Sequence, residues 1–285
     1  MTTLGVAVVT HNGMQWIDEC LRSILEQTRP PDRVVVVDDS STDGTVDHLR
    51  RTYSTAIEIL PAPATAPSRS VQERIAKNFS YAVRACETDL VALSDQDDRW
   101  LPTRLDLQLG AIGNAAMIAN DGFLIDESGQ RLPGHLRQVF PVPENFSSVG
   151  SAVQFHIALH SSLATGGASM VQPSRFASMN VPAGWLHDRW WSLAAAAMGA
   201  MLVDPTCLIE YRVSGGQVIG LDTGLQAGNP FQRISGALRR TSSMARLRAL
   251  HELRSWDGVT PEVAALLRWP QLIAAVMTKP SVGGV

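Results

Sequence analysis

Residues 33–45 read RVVVVDDSSTDGT. Four consecutive valines leave no polar face, so the run predicts a strand buried on both sides, and the acidic, Ser/Gly-rich loop behind it marks its end. Upstream, LGVAVVT (4–10) is a second β-branched run, closed by the turn signal HNG. Between the two, Trp16/Ile17, Cys20/Leu21 and Ile24/Leu25 recur at helical spacing, and RPPD stops the pattern. Strand, helix and strand, with both strands apolar throughout, predict a βαβ unit of a parallel sheet.

The same grammar continues along the chain. AIEIL (56–60) predicts a third strand, a helix follows near 71–87, and DLVALSDQDD (89–98) is another apolar run that ends in carboxylates. MIANDGFLIDESGQRL (117–132) predicts two short strands about a turn at ESGQ, and HIALHSSLATGGASMV (156–171) sets a Gly-Gly pair ahead of a small strand. HDRWWSLAAAAMG (187–199) predicts a helix, and AMLVDPTCLIEYR (200–212) one or two strands. After 220 the composition shifts to Gly, Asn and Pro, then to arginine-rich helical patterning over 231–256. The expectation is an α/β domain over 1–220 and a mostly helical C-terminal extension over 221–285.

With 45% hydrophobic and 18% charged residues and a net charge of −3, the chain has globular composition and no basic character that would point to nucleic acid. Its apolar stretches are too short to span a bilayer, and the N-terminus has no positively charged leader pattern. Cys20, Cys86 and Cys207 are scattered and odd in number, which predicts packed thiols in a reducing compartment. A cytoplasmic protein is expected. The tail from Phe231 to Trp256 sets arginines beside Phe231, Ile234, Leu238, Leu247 and Leu250. That pattern fits peripheral contact with an anionic membrane and equally fits a helical appendage with a solvated basic face.

Ligands of open parallel sheets bind beyond the carboxyl ends of the strands. Here those ends carry HNG, DDSSTDG and SDQDD, so Asp38, Asp39, Asp95, Asp97 and Asp98 would meet at one rim. Such a rim suits a hard divalent cation, Mn2+ or Mg2+, which takes oxygen ligands from one or two carboxylates plus substrate phosphates. The same residues also serve as Asx turns and helix caps, the competing explanation for DDSSTDG in particular. Neither a P-loop nor a G-x-G-x-x-G is present, which leaves P-loop NTPases and dinucleotide oxidoreductases without support. His156 and His160, spaced i and i+4, match a zinc pattern only if that stretch is helical, and no glutamate accompanies them.

Taken in order, VAVVTHNGMQWIDECLRSILEQT, VVVVDDSSTDGT, KNFSYAVRA, LVALSDQDDRWLPTRL, NDGFLIDESGQRL, TGGASMV, HDRWWSLAAAAMG and YRVSGGQVIG resemble the inverting family-2 glycosyltransferases of the GT-A fold. SDQDDRW together with HDRWW is similar to bacterial rhamnosyltransferases, and the resemblance covers roughly residues 4 to 220. It implies a Rossmann-like, mostly parallel central sheet flanked by helices, and a nucleotide-sugar donor. By position, it implies that His11 and Asn12 seat the nucleotide base, that Asp38 and Asp39 bind base or ribose, and that Lys77 reaches toward the nucleotide. Asp95 and Asp97 match the family's D-x-D, whose second carboxylate holds a metal on the donor diphosphate, and Asp188 matches the catalytic base. The acceptor would be a glycan, a lipid-linked saccharide or a small molecule.

One departure stands out. Where the family usually offers a histidine to the metal, YRVSGGQVIG has Ser214, a far poorer ligand, and Gln217 replaces the usual Asn. A non-catalytic sugar-nucleotide binding module is therefore one competing reading. A sugar nucleotidyltransferase is another, though THNGMQW lacks the basic residue expected after its first strand. An aspartyl-phosphate phosphatase would need its D-x-D after the first strand rather than here.

Overall fold

The computed structural model describes residues 1–64, 70–214 and 244–278. The first half is the predicted parallel array: β1 (Leu4–Thr10), α1 (Ile17–Leu25), β2 (Arg33–Asp38), α2 (Thr45–Tyr53), β3 (Glu58–Pro61), α3 (Val71–Cys86) and β4 (Leu90–Asp95). β1 pairs in parallel with β2 on one side and β4 on the other, and β3 adds beyond β2. Alternation along the strands sends Val6, Val8, Val34 and Val36 to one face, where Ile17, Cys20, Leu21 and Ile24 of α1 cover them. Ala7, Val35 and Val37 point to the other face, under Phe79, Ala82 and Val83 of α3. Each valine, leucine, isoleucine or phenylalanine among them, fully buried, contributes about 1.5–3 kcal/mol.

Beyond β4 the sheet departs from the mostly parallel expectation. It continues with β5 (Arg99–Trp100), β6 (Met117–Ile125), β7 (Arg131–His135), β8 (Ser169–Val171) and β9 (Met201–Arg212), in the order β3-β2-β1-β4-β8-β6-β9-β5 with β7 beside β6. β8 is antiparallel to β4 and β6, β7 to β6, and β5 to β9, while β6 and β9 run parallel. The sheet is therefore evenly mixed. The α/β class and its flanking helices stand as expected, and AMLVDPTCLIEYR forms one strand rather than two.

That order forces a curl. β4 and β5 are joined only by residues 96–98, yet β8, β6 and β9 lie between them. Four strand spacings of about 4.8 Å make roughly 19 Å in a flat sheet, whereas the four residue steps from Asp95 to Arg99 reach roughly 14 Å at most. The sheet bends round, and the end of β9 arrives against the DQDD loop.

The remaining helices are α4 (Arg104–Ile112), the short α5 (Leu136–Val139), α6 (Ser151–His160), α7 (His187–Ala197), α8 (Met244–Leu253), α9 (Pro261–Leu266) and α10 (Trp269–Met277). The three C-terminal helices share the main core: Leu250, Leu253, Val263, Leu267 and Leu272 belong to the same buried cluster as α7's Trp190, Trp191 and Leu193. The His156/His160 pair does lie on a helix, but both Nε2 atoms contact the Ala275 carbonyl at the end of α10, at 3.2 and 2.9 Å. They link α6 to α10 by packing. No helix among the described residues is long and apolar enough to cross a membrane. The arginine-rich stretch before Met244, with Phe231, Ile234 and Leu238, and Gln217 lie outside the described residues.

Candidate active site

The parallel pairing aligns Thr10 with Asp38 and Val9 with Asp95, so the ends of β1, β2 and β4 form one rim, as expected. His11 and Asn12 leave β1, and Asn12 takes a left-handed turn at φ 49°. Short polar side chains tolerate that conformation best. Asn12 is held by the β2 loop: its N–H donates to Ser41 Oγ at 2.8 Å, and its Oδ1 accepts from the Thr42 N–H at 2.8 Å. His11 Nδ1 lies 2.7 Å from the Asp39 carbonyl. Asp39 pairs with Arg74 at 3.2 Å, and Asp38 accepts from the Ser41 N–H through Oδ2 at 3.0 Å. The other oxygen of Asp38, Oδ1, is buried without a partner. Lys77, on α3, donates to the Ala64 carbonyl at 2.6 Å, at the chain's exit from β3.

Gln96 joins this rim to β4. Its Oε1 accepts from Thr10 Oγ1 at 2.7 Å and from the His11 N–H at 2.8 Å, while its Nε2 donates to the His11 carbonyl at 3.1 Å. Nothing in the sequence marks this residue, which sits between two more conspicuous aspartates.

Three carboxylates follow one another around the bend. Asp95 is pushed up to about 7, first by burial and then by the charges of Asp97 and Asp188. Asp98, 1% exposed, is raised well above the carboxylate range by burial and by Asp97 and Asp95. Asp188, in the first turn of α7, accepts from the Arg189 N–H at 2.7 Å. The acidic loop and the candidate base thus face one another closely enough for charge to be felt between them.

Two buried arginines, unmarked in the sequence, hold this cluster. Arg104 is fully buried and donates to the carbonyls of Gly167 at 2.5 Å, Leu93 at 3.1 Å and Ser169 at 3.1 Å, over the Trp100 ring. Burial lowers it to about 9, and the negative charges of Asp98 and Asp95 oppose that shift. Arg212, at the end of β9, gives its backbone N–H to Asp98 Oδ1 at 3.2 Å and its Nε–H to the Asp97 carbonyl at 2.9 Å. Its guanidinium also meets Glu19 on α1 and the Asp126 and Glu127 carbonyls of the β6–β7 turn. Buried arginines are rare unless paired, and here carbonyls and carboxylates together supply the partners.

The floor of the cluster is the turn Gly166–Ala168. A Cβ on Gly167 would lie 2.2 Å from Asp98 Oδ2, and one on Gly166 would lie 2.7 Å from His187 Nε2 and 3.8 Å from Asp95 Oδ2. Only glycine leaves that space between the carboxylates and the imidazole.

The hard oxygens of Asp95 and Asp97 are the donors a divalent cation takes, and Asp98 Oδ2 is buried and unpartnered beside them. Among the described residues, no group of three or more His, Cys, Asp or Glu could hold a metal alone. Ser214, buried two residues beyond β9, adds no imidazole. The residues present therefore fit a partial site, with the rest of the coordination left to phosphate oxygens and water.

Comparison with known proteins bears on the family and the fold. Residues 5–175, more than half of the chain, match the glycosyl transferase family 2 domain. The chain is 32% identical over 104 residues to the dTDP-rhamnosyl transferase RfbG of Shigella flexneri, and that match spans 34% of each protein. It thus spans about a third of that relative's length. The fold is similar to S. aureus TarS in complex with UDP-GlcNAc, at a TM-score of 0.53 and 14% identity, over 96% of this chain and 89% of that one. It is also similar to glucosyl-3-phosphoglycerate synthase from Mycobacterium tuberculosis in complex with Mn2+, UDP and glucosyl-3-phosphoglycerate. There the TM-score is 0.50 and the identity 14%, over 84% and 80% of the two chains. Those two likenesses bear on the fold alone, which is that of GT-A enzymes. From the family match, the chain belongs to glycosyl transferase family 2.

Proposed function

We propose that this chain is an inverting glycosyltransferase. It moves a sugar from a nucleoside-diphosphate donor, dTDP-rhamnose or a similar dTDP- or UDP-sugar, to a hydroxyl of a glycan, lipid-linked or small-molecule acceptor. One observation supports the reading: Asp95, at the end of β4, and the first turn of α7, which carries Asp188, meet at one glycine, with Asp95 Oδ2 and His187 Nε2 at 3.8 and 2.7 Å from a Cβ placed on Gly166. On this reading the carboxylates after β4 serve the diphosphate side and Asp188 serves as the proton acceptor.

The roles follow from chemistry. His11, Asn12, Asp38 and Asp39 seat the base and ribose, and the unpartnered Asp38 Oδ1 is free to accept from a ribose hydroxyl or base N–H. Lys77 approaches the nucleotide from α3. Asp95 and Asp97 would hold a divalent cation, Mn2+ or Mg2+, which would supply Lewis-acid neutralisation of the charge on the leaving diphosphate. Asp188 takes the proton of the acceptor hydroxyl, a contribution of roughly 10²–10⁴-fold. The hydroxyl oxygen then bonds to the anomeric carbon as the bond to the diphosphate breaks, through an oxocarbenium-like state. One base suffices for that single displacement, and no enzyme nucleophile is required. The rhamnosyl transferase relative supports the sugar.

Ser214 favours a second reading, a sugar-nucleotide binding protein without turnover. A screen of dTDP- and UDP-sugars with Mn2+, Mg2+ or EDTA separates the two. Release of nucleoside diphosphate that depends on the metal supports the enzyme, and binding with no release under any pairing supports the binding module.

A further inference from the structure

His187 precedes the candidate base and has no assigned part in the chemistry above. Its ring is 4% exposed, stacked on Phe79 at 3.9 Å between centroids and met edge-on by Trp191 at 5.4 Å. Neither ring nitrogen has a hydrogen-bond partner among the described residues. Three other buried polar atoms nearby share that condition: Asp98 Oδ2 beneath Gly167, Thr165 Oγ1 just before the glycine turn, and Trp191 Nε1 one turn along α7.

A buried polar atom left unsatisfied costs about 1–3 kcal/mol. Two such atoms on one ring, in an aromatic slot that a phenylalanine would fill without that cost, imply a partner that arrives with the ligand. The Nε2 edge lies 2.7 Å from the position of a Cβ on Gly166, and Asp95 Oδ2 lies 3.8 Å from the same point. The partner therefore belongs beside Gly166 and Asp95, next to the carboxylates that would meet the donor diphosphate and so near the sugar it carries. Burial depresses the imidazole to about 4, so near neutral pH the ring offers one donor and one acceptor. A hydroxyl complements that pair. A phosphate, which wants donors and positive charge, does not.

We propose that His187 is a specificity-determining residue whose imidazole hydrogen-bonds a hydroxyl of the transferred sugar. The inference rests on the glycosyltransferase reading and adds to it a residue that reads the sugar rather than the nucleotide.

The test uses His187→Phe, which keeps the stack on Phe79, and His187→Gln, which keeps a donor and an acceptor. Wild type and both variants are titrated in Mn2+ with dTDP, dTDP-rhamnose, UDP and UDP-GlcNAc, and their thermal midpoints are measured. For the sugar nucleotide that wild type prefers over its bare nucleotide, His187→Phe should lose that preference by at least about fivefold. It should bind the bare nucleotide within twofold of wild type and melt no lower. His187→Gln should recover most of the preference. If His187→Phe keeps the sugar preference, or loses bare nucleotide to the same degree, the inference is overturned while the glycosyltransferase reading stands. A clearly lower midpoint with the preference intact also overturns it, because the imidazole is then a structural group. If wild type binds no nucleotide and no sugar nucleotide, the parent reading fails and takes this one with it.

Discussion

Gln96 grips the backbone of His11 from both sides, accepting from its N–H at 2.8 Å and donating to its carbonyl at 3.1 Å. One side-chain amide thus extends the β1–β4 pairing past the end of the strands, and it sets the nucleotide-side rim against the acidic loop. Replacing it by alanine strands the His11 N–H and Thr10 hydroxyl and should cost about 1–3 kcal/mol. Gln96→Ala should weaken nucleotide binding by roughly two- to tenfold if about half of that cost reaches the rim. Denaturant titration and calorimetry with UDP and dTDP check both figures.

Gly167 is the tightest point of the site. An added methyl would meet Asp98 Oδ2 at 2.2 Å and Asp95 Oδ2 at 3.3 Å, so the carboxylates or the turn must move. Gly167→Ala should destabilise by about 1–3 kcal/mol, the usual cost of overpacking, and cut Mn2+-dependent donor binding. Gly110, inside α4 with nothing within 4 Å of its would-be Cβ, is the matched control. There, alanine should stabilise by roughly 0.5–1 kcal/mol through helix propensity and chain entropy.

His187 gives the fold an acid-side weakness. Its folded pKa of about 4 lies below the ordinary 6.5, because burial penalises the imidazolium. As pH falls, the unfolded chain takes up this proton first, so the contribution is intact above about 6.5 and is lost progressively down to about 4. Its size is on the order of 3 kcal/mol. His187→Phe should remove that component, so the stability gap in favour of the variant should widen between pH 6.5 and 4. Urea melts of both proteins across that range measure it.

How much of this was legible in the sequence depends on whether a residue's role is local. The valine runs of β1 and β2, the helical spacing of α1 and the carboxylates at strand ends all declare themselves within a dozen residues. The placement of His11, Asn12, Asp38 and Asp39 on one rim followed from βαβ geometry alone. Gln96, Arg104 and Arg212 did not declare themselves. Gln96 acts on a backbone 85 positions away. The two arginines are ordinary solvent-facing types until the curl of the sheet brings Asp97, Asp98 and Gly167 around them. The cations among the aspartates are thus partly built in. In the second half of the sheet the strands themselves were legible, but the antiparallel pairing of β8 and the strand order were not, because they rest on contacts between segments far apart in the chain.

The central claim is the division of labour between the DQDD loop and Asp188, and transfer kinetics with Asp188→Asn test it most directly. With a donor that the wild type turns over, Asp188→Asn should keep the affinity for the donor and lose transfer by roughly 10²–10⁴-fold. Asp97→Ala should instead weaken Mn2+-dependent donor binding. Near-full transfer by Asp188→Asn would mean that Asp188 is not the base.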